Sequence, residues 1–409
     1  MNIGIILPEI GGFSSVSLEF NKWHRVMSDL GHKIFIITGK SRSFFNNVTV
    51  MSDIFPENDF NMNFSSKLLE LTDEDTSDIN DFEQLAYRIE AIIHNWVDTN
   101  QLDLLIVENY FSIPINLPVS YALYILFQKV SIKKIVKHHD AFYRNNIEKL
   151  SPSIFIKKVM LSCFPIDGEN ILHISSNRLI KSYLKEKCHV DSIIIPYVIN
   201  FKESLTLSNS PLPNLNDTFE IQLSDKILMN FSDLLPSTGF DQILQLLENI
   251  QDDSFKIISV VREHRDYLDY YDYLTQKIEH LNLSSRMILI KEESLLTKDF
   301  VNIDYLFTFA KGILCLDHGV GFGQPLHMGI RHKCPLLFCT QSQLDWLELS
   351  DLGCKLVNIS DKLNAQDIVL INRHINMDVD WGEVNYGLMK QYYSMSFLQY
   401  LVNGVLMRV

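Results

Sequence analysis

The chain has 409 residues, with 36 basic and 50 acidic side chains and a net charge of −14 at pH 7. Hydrophobic residues make up 46% of it, enough to bury large cores, which excludes a disordered protein. The acidic balance and the lack of a basic block argue against nucleic-acid binding, which depends on neutralising phosphates. At roughly 150 residues per domain, two or three domains are expected.

The sequence also gives indications of the cellular compartment in which the protein is found. No apolar run reaches the roughly 20 residues that a membrane-spanning helix needs. Met1 leads almost directly into the apolar run Ile3–Leu7, without the basic start of a secretory leader. None of the six cysteines forms a Cys-x-x-Cys pair, so we predict buried, reduced thiols and no zinc site. We expect a cytoplasmic protein without a transmembrane segment.

The first half of the chain alternates between two patterns. Short apolar runs rich in β-branched residues occur at Ile3–Leu7, Lys33–Thr38, Leu104–Val107, Lys134–Lys137, Ile171–Ile174 and Ser192–Ile195. Stretches with helical spacing lie between them, at Ser17–Leu30, Asp81–Asp98 and Asn177–Lys187. Alternating strands and helices predict a parallel sheet with helices on both faces.

The same alternation restarts in the second half. Residues 204–224 are rich in Ser, Asn and Pro and hold no period, which predicts a linker. Further strands are predicted at Lys226–Phe231, Phe255–Val261, Arg286–Ile290, Gly312–Leu316, Pro335–Cys339 and Lys355–Val357, with helices at Phe240–Ile250 and Tyr267–Leu281. We therefore predict two doubly wound α/β domains, at 1–203 and 225–380, and a helical segment at 381–409 that bridges them.

Three segments at predicted strand ends could carry chemistry. Gly11 and Gly12 follow the first strand and would let the backbone approach a ligand, although a tight turn explains them equally well. His138, His139 and Asp140 end a later strand and suit acid–base work or hydroxyl binding. Adjacent residues of a strand point to opposite faces, so the two histidines cannot both face one cleft if the strand continues through them.

The third segment contains Gly321, Phe322, Gly323 and Gln324, which follow a strand and precede a helix. A glycine-rich turn of this kind can cradle a phosphate or a ribose.

In this order, the three segments resemble glycosyltransferase family 4, whose members are retaining enzymes of the GT-B fold that use nucleotide sugars. The resemblance implies two Rossmann-like domains facing a central cleft, with the acceptor bound on the N-terminal side and the donor on the C-terminal side. It makes His139 and Asp140 catalytic candidates. The substrate-binding candidates are Gly11, Gly12, Asn109, His138, Arg262, Arg265, Gly321, Phe322, Gly323 and Gln324.

The sequence departs from the family where the donor diphosphate would bind. The family's Arg and Lys fall at Asp233 and Thr238, and its two Glu residues fall at Val320 and Met328. Replacing the Arg by Asp is expected to turn attraction into repulsion. Arg262 and Arg265 could supply the missing charge, although both also fit a solvated helix start.

Three functions stay open at this point. An active glycosyltransferase would use a UDP-, GDP- or ADP-linked sugar, with no cofactor and no metal, because side-chain cations and helix dipoles take the metal's place. A catalytically degenerate GT-B protein would act as a partner subunit or a homo-oligomer that binds an acceptor or stabilises an active enzyme. A third class comprises sugar-phosphate epimerases and periplasmic-type binding proteins, and the lack of a leader counts against the latter.

Overall fold

The computed structural model describes residues 1–11, 14–141, 151–201, 221–222, 224–236, 238–263, 267, 269–291, 294, 306–307, 309–316, 324–340, 344–377 and 380–408. The chain forms two compact units, Met1–Val198 with Met395–Val409, and Ile199–Ser394. The linker predicted at 204–224 falls almost entirely outside the described residues, so its limits and the predicted domain boundaries stay predictions.

The first unit is built on a seven-stranded parallel sheet with the strand order β3-β2-β1-β4-β5-β6-β7. Its strands are β1 (Asn2–Ile10), β2 (Lys33–Ser41), β3 (Val48–Val50), β4 (Leu104–Glu108), β5 (Lys133–His138), β6 (Ile171–Ser175) and β7 (Ser192–Ile194). The order reverses between β1 and β4, as in doubly wound folds, where ligands bind beyond the carboxyl ends of the strands near the reversal.

Both faces of this sheet are covered by helices. These are α1 (Ser15–Asp29), α2 (Asp59–Glu70), α3 (Thr76–Thr99), α4 (Leu117–Lys129), α5 (Ile154–Cys163) and α6 (Arg178–Cys188). Along β4, Leu105 and Val107 join a core with α3, α4 and α5, whereas Leu104 and Ile106 join a core with α1. Burial on both faces explains why these strands are continuously apolar in sequence.

The second unit repeats the architecture with six parallel strands in the order β10-β9-β8-β11-β12-β13. Its strands are β8 (Lys226–Leu234), β9 (Phe255–Glu263), β10 (Met287–Lys291), β11 (Ala310–Leu314), β12 (Leu336–Thr340) and β13 (Val357–Ile359). Its helices are α7 (Phe240–Asn249), α8 (Asp269–His280), α9 (Gln324–Arg331), α10 (Leu344–Asp351), α11 (Ala365–Ile375) and α12 (Gly382–Tyr392).

The C-terminal segment consists of two helices. The first of them, α12, packs against α9 inside the second unit. After Tyr393 and Ser394, α13 (Met395–Leu406) packs against α1, where its Leu398 and Val402 complete the core of the first unit. The last helix therefore belongs to the first unit, although the second unit precedes it in the chain.

The predicted α/β class with two doubly wound parallel sheets is confirmed. Each predicted strand coincides at least in part with an observed one. The edge strand β3 was missed, since its three residues are half-buried or exposed and do not form a buried apolar run. None of the six cysteines forms a disulfide, but Cys315 is only partly buried, which corrects the prediction that all are buried. Within the described residues, no helix is both long and apolar enough to cross a bilayer.

Arg286 is a buried cation that links the C-terminal end of α7 to β9 in the second unit. Its guanidinium donates to the carbonyls of Leu247 at 3.0 Å, Ile250 at 2.7 Å and Phe255 at 3.1 Å. The first two lie at the C-terminal end of α7, where carbonyls lack helical partners and a positive charge is favourable.

We predict that Arg286→Met lowers the free energy of unfolding of the second unit by about 2–4 kcal/mol, because buried carbonyls lose charged donors. Urea unfolding followed by circular dichroism measures this. The matched control is Lys333→Met, which removes an exposed ion pair with Glu383 and should leave the free energy of unfolding almost unchanged, because water screens such pairs. Equal effects of the two changes would contradict the prediction.

Candidate active site

A buried ion pair links the ends of two neighbouring strands in the first unit. Glu108 ends β4 and lies opposite Lys137 of β5 in the parallel register. Lys137 Nζ donates to Glu108 Oε1 at 2.7 Å, and the two side chains are only 5% and 1% exposed. The ammonium also lies 4.0 Å from the ring centroid of Trp23 in α1. A pair this deep depends mainly on protein groups to satisfy its polar atoms, because bulk water does not reach it.

The charge state of Glu108 follows from its neighbours. Burial raises the pKa of this carboxyl, but the charge of Lys137 and the hydrogen bond with His139 outweigh burial, so its pKa lies below the ordinary value. Glu108 is therefore an anion at neutral pH, and it can only accept hydrogen bonds.

An ionised Glu108 fixes the hydrogen bonds of His139. The ring nitrogen Nε2 lies 2.6 Å from Glu108 Oε2, so it must carry the proton and donate. The other ring nitrogen, Nδ1, is hydrogen-bonded to the Tyr197 hydroxyl, which lies 2.6 Å away. Burial, and after it the carboxylate of Glu19, raises the pKa of Tyr197 well above its ordinary value, so this hydroxyl keeps its proton. Both ring nitrogens of His139 are thus engaged inside the unit.

Asp140 is the more accessible carboxylate at this strand end. It is half-buried, and its Oδ2 accepts from Asn109 Nδ2 at 2.9 Å. The Oδ1 of Asn109 accepts from the backbone N–H of His139 at 3.3 Å. Asn109 itself has a left-handed backbone with a φ of 65°, which Asn tolerates better than most residues. Asn109 therefore ties the end of β4 to the residue that follows the histidines.

His138 belongs to a separate hydrogen-bond network, although it lines the same cavity as His139, because β5 ends at His138 and the alternation of a strand does not continue to His139. Its Nδ1 lies 3.0 Å from Ser112 Oγ, and its Nε2 lies 3.0 Å from Nδ1 of His173 in β6. Burial, with smaller contributions from the neighbouring histidines, lowers the pKa of His138 well below its ordinary value. Burial also lowers the pKa of His173 to about 4. Both rings are therefore neutral at pH 7.

A cavity of about 10 Å³ borders the two networks, which is close to the space that one water molecule needs. It is lined by Glu19, Trp23, Lys137, His138, His139, Ile174, Ser176, Ile195 and Tyr197. The hydroxyl of Ser176 is buried and has no hydrogen-bond partner among the described residues. The cavity is too small for a sugar, so any sugar must bind outside it.

Gly11 has a structural reason to be glycine. Its φ is 80°, and a Cβ atom there would lie 2.2 Å from Ser43 Oγ and 2.8 Å from the backbone carbonyl carbon of Arg42. Any side chain would collide with the segment that follows β2. Gly12 lies outside the described residues, and ligand binding by either glycine stays a prediction.

The second unit changes the interpretation of Asp233. This residue lies near the end of β8, directly opposite Arg262 of β9. Arg262 donates through Nε to Asp233 Oδ1 at 2.8 Å and through Nη2 to Oδ2 at 3.0 Å. Arg262, which the sequence offers as a replacement for the missing positive charge, therefore lies against Asp233, and the effect of this pair on a diphosphate stays a prediction. Arg262 also lies on a strand and not at a helix start.

Thr238, the second replaced position, closes the loop after β8. Its hydroxyl lies 2.8 Å from both the Asp233 and the Leu235 carbonyls, to which it can donate. The other donor-side candidates, Arg265, Gly321, Phe322 and Gly323, lie outside the described residues. Gln324 begins α9, and its side chain is likewise outside them.

The sequence interpretation missed Lys137 and Tyr197 as parts of the site. One signal was available, because Glu108 and Lys137 are opposite charges inside two neighbouring apolar runs. Parallel strands of similar register bring such charges together. The contact with Tyr197 had no such signal, since 58 residues separate it from His139.

We predict that Glu108→Gln destabilises the first unit by about 3–5 kcal/mol, because it leaves the buried Lys137 ammonium without a counter-charge. Urea unfolding at pH 7 measures the loss. The double change Glu108→Gln with Lys137→Met removes both charges and should recover much of it. If Glu108→Gln alone lowers the free energy of unfolding by less than about 1 kcal/mol, the pair does not control the stability of this strand end.

A second prediction concerns pH. The pKa of His173 is about 4 in the folded chain and 6.5 when exposed, so its stabilising contribution is complete above pH 6.5 and is lost as the pH falls toward 4. The loss approaches about 3 kcal/mol at the lower end. Urea midpoints between pH 7 and 4.5 should fall less steeply in His173→Leu than in the wild type. The control His280→Gln, at an exposed position, should keep the wild-type slope, and a His173→Leu slope equal to the wild type would refute the assignment.

No protein-family model matches the chain. A mannosylglucosylglycerate synthase of Petrotoga mobilis is 24% identical over 266 residues, which cover 63% of this chain and 59% of that protein. The aligned region therefore spans less than two thirds of that relative.

Solved structures resemble the whole chain. A glycosyltransferase from Rickettsia africae superposes with a TM-score of 0.68 at 12% identity, covering 99% of this chain and 97% of that one. Alr3699/HepE of Anabaena, in complex with UDP and glucose, superposes with a TM-score of 0.69 at 12% identity over 100% of both chains. At these identities the likeness establishes the fold. The chain has the GT-B fold, and its resemblance to glycosyltransferases of the family 4 type is confirmed.

Proposed function

We propose that the protein is a glycosyltransferase of glycan or glycoconjugate biosynthesis that moves a sugar from a nucleotide sugar to an acceptor hydroxyl. In this reaction the bond between the anomeric carbon and the nucleoside diphosphate breaks. A bond to the acceptor oxygen forms, and the hydroxyl proton leaves with the departing phosphate or a nearby base. The Anabaena neighbour, which holds UDP and glucose, supports a nucleotide-linked donor.

The observation that carries the proposal is the buried network of Glu108, Lys137 and His139 beneath Asp140. Burying charged groups has a desolvation cost that an apolar core avoids. Here the charges lie at the carboxyl ends of β4 and β5, which is the edge where doubly wound sheets bind ligands. We assign Asp140 to accept hydrogen bonds from sugar hydroxyls and His139 to position it through the shared strand end.

The choice of substrates follows from the relatives. The name of the Petrotoga relative makes a mannosyl donor and a glucosylglycerate acceptor the first pair to test. UDP-glucose and ADP-glucose extend the donors, with simple sugars and sugar acids as further acceptors. We place the reaction in the cytoplasm, and six cysteines outside any disulfide support a reducing compartment.

The test measures the release of nucleoside diphosphate and identifies the product by mass spectrometry. We predict that Asp140→Asn lowers kcat/KM by about 10²–10³, the usual effect of losing one preorganised polar contact. The control is Asp167→Asn, an exposed carboxylate that precedes β6 and so lies at the opposite edge of the sheet. It should leave kcat/KM within about twofold of the wild type.

Two results would overturn the proposal. If no nucleoside diphosphate or nucleotide sugar binds, the chain does not use such donors. If nucleotides bind but none of the donor and acceptor pairs turns over, the degenerate partner-subunit hypothesis gains, and co-purification with an active transferase becomes the next measurement.

A further inference from the structure

The pair of Arg262 and Asp233 occupies a distinctive place in the second sheet. It lies at the carboxyl ends of β8 and β9, and β8 is where the strand order reverses toward β11. Ligands of doubly wound sheets bind beyond the strand ends at this reversal. A guanidinium there lies where a donor's diphosphate would be expected.

The geometry of the pair goes beyond that of an ordinary surface contact. Two hydrogen bonds, of 2.8 and 3.0 Å, join the guanidinium to both carboxylate oxygens, which fixes the plane of the guanidinium. Thr238 holds the backbone carbonyl of Asp233, so the carboxylate sits on a closed loop. The Arg262 side chain is 52% exposed, and a dissolved anion can therefore reach it.

Stability alone does not account for this arrangement. An ion pair this exposed typically contributes at most about 1 kcal/mol, and salt screens it. Guanidinium groups, in contrast, suit phosphate recognition, because their planar donors match two oxygens at once.

We propose that Arg262, oriented by Asp233, is the cation that binds the diphosphate of the sugar donor. The inference rests on the proposed function and adds a residue and a positioning partner to it. The pair can be tested as a whole, because its two positions lie side by side on adjacent strands. β8 carries the negative residue, Asp233, and β9 carries the positive one, Arg262. Exchanging the two residues keeps one guanidinium at nearly the same point.

The experiment measures binding of UDP, GDP and ADP by calorimetry, with uridine, guanosine and adenosine as phosphate-free probes. Arg262→Met should weaken binding of the preferred diphosphate at least tenfold and leave its nucleoside unchanged. The exchange of both residues, Asp233→Arg with Arg262→Asp, should restore affinity to within about threefold of the wild type. Lys333→Met is the matched control, because it removes a half-exposed cation that precedes β12, at the opposite sheet edge, and it should change nothing.

Each result decides something, provided that thermal melting shows each variant to be folded. If the wild type binds none of the three diphosphates, the proposed function fails and this inference fails with it. If it binds one and Arg262→Met binds it equally well, only the inference is overturned. If Arg262→Met loses affinity but the exchanged variant, melting as the wild type does, fails to recover it, the pair is not the binding unit and the inference is likewise overturned.

Discussion

The ion pair between Glu108 and Lys137 is the interaction on which the first unit's candidate site depends. It lies across β4 and β5 and is almost fully buried, so its charges must be matched from within. Because Glu108 stays ionised, it fixes which nitrogen of His139 donates, and His139 in turn orders the hydroxyl of Tyr197. One electrostatic requirement thus links the buried polar groups of this strand end into a single network.

The ion pair at the strand ends of the second unit lies near the surface, in contrast to the buried pair of the first unit. There the charges of Arg262 and Asp233 are paired near the surface, where water lowers both the cost and the benefit of the contact. The first unit's pair is rigid and structural, and the second unit's pair is accessible to an anion. This contrast matches the two proposed roles, hydroxyl binding in the first unit and diphosphate binding in the second.

Much of the architecture could be predicted from the sequence, because parallel strands covered on both faces are continuously apolar. The runs at Ile3–Leu7 and Leu104–Val107 are clear for this reason. The edge strand β3 escaped prediction because its residues are half-buried or exposed and form no buried apolar run. The division of the C-terminal segment between two units depends on what each helix packs against. His139 and Asp140 were found as a pattern, but their surroundings were not.

The sequence by itself determined the doubly wound sheets, the place of His138–Asp140 at a strand end, and the loss of the expected basic residues at Asp233 and Thr238. Only the tertiary structure decided that Asp233 faces Arg262, that Thr238 closes a loop, and that both nitrogens of His139 are engaged. The physical reason is that hydrophobic patterning repeats along the chain, whereas a charge depends on partners that strand register brings together across 29 or more residues.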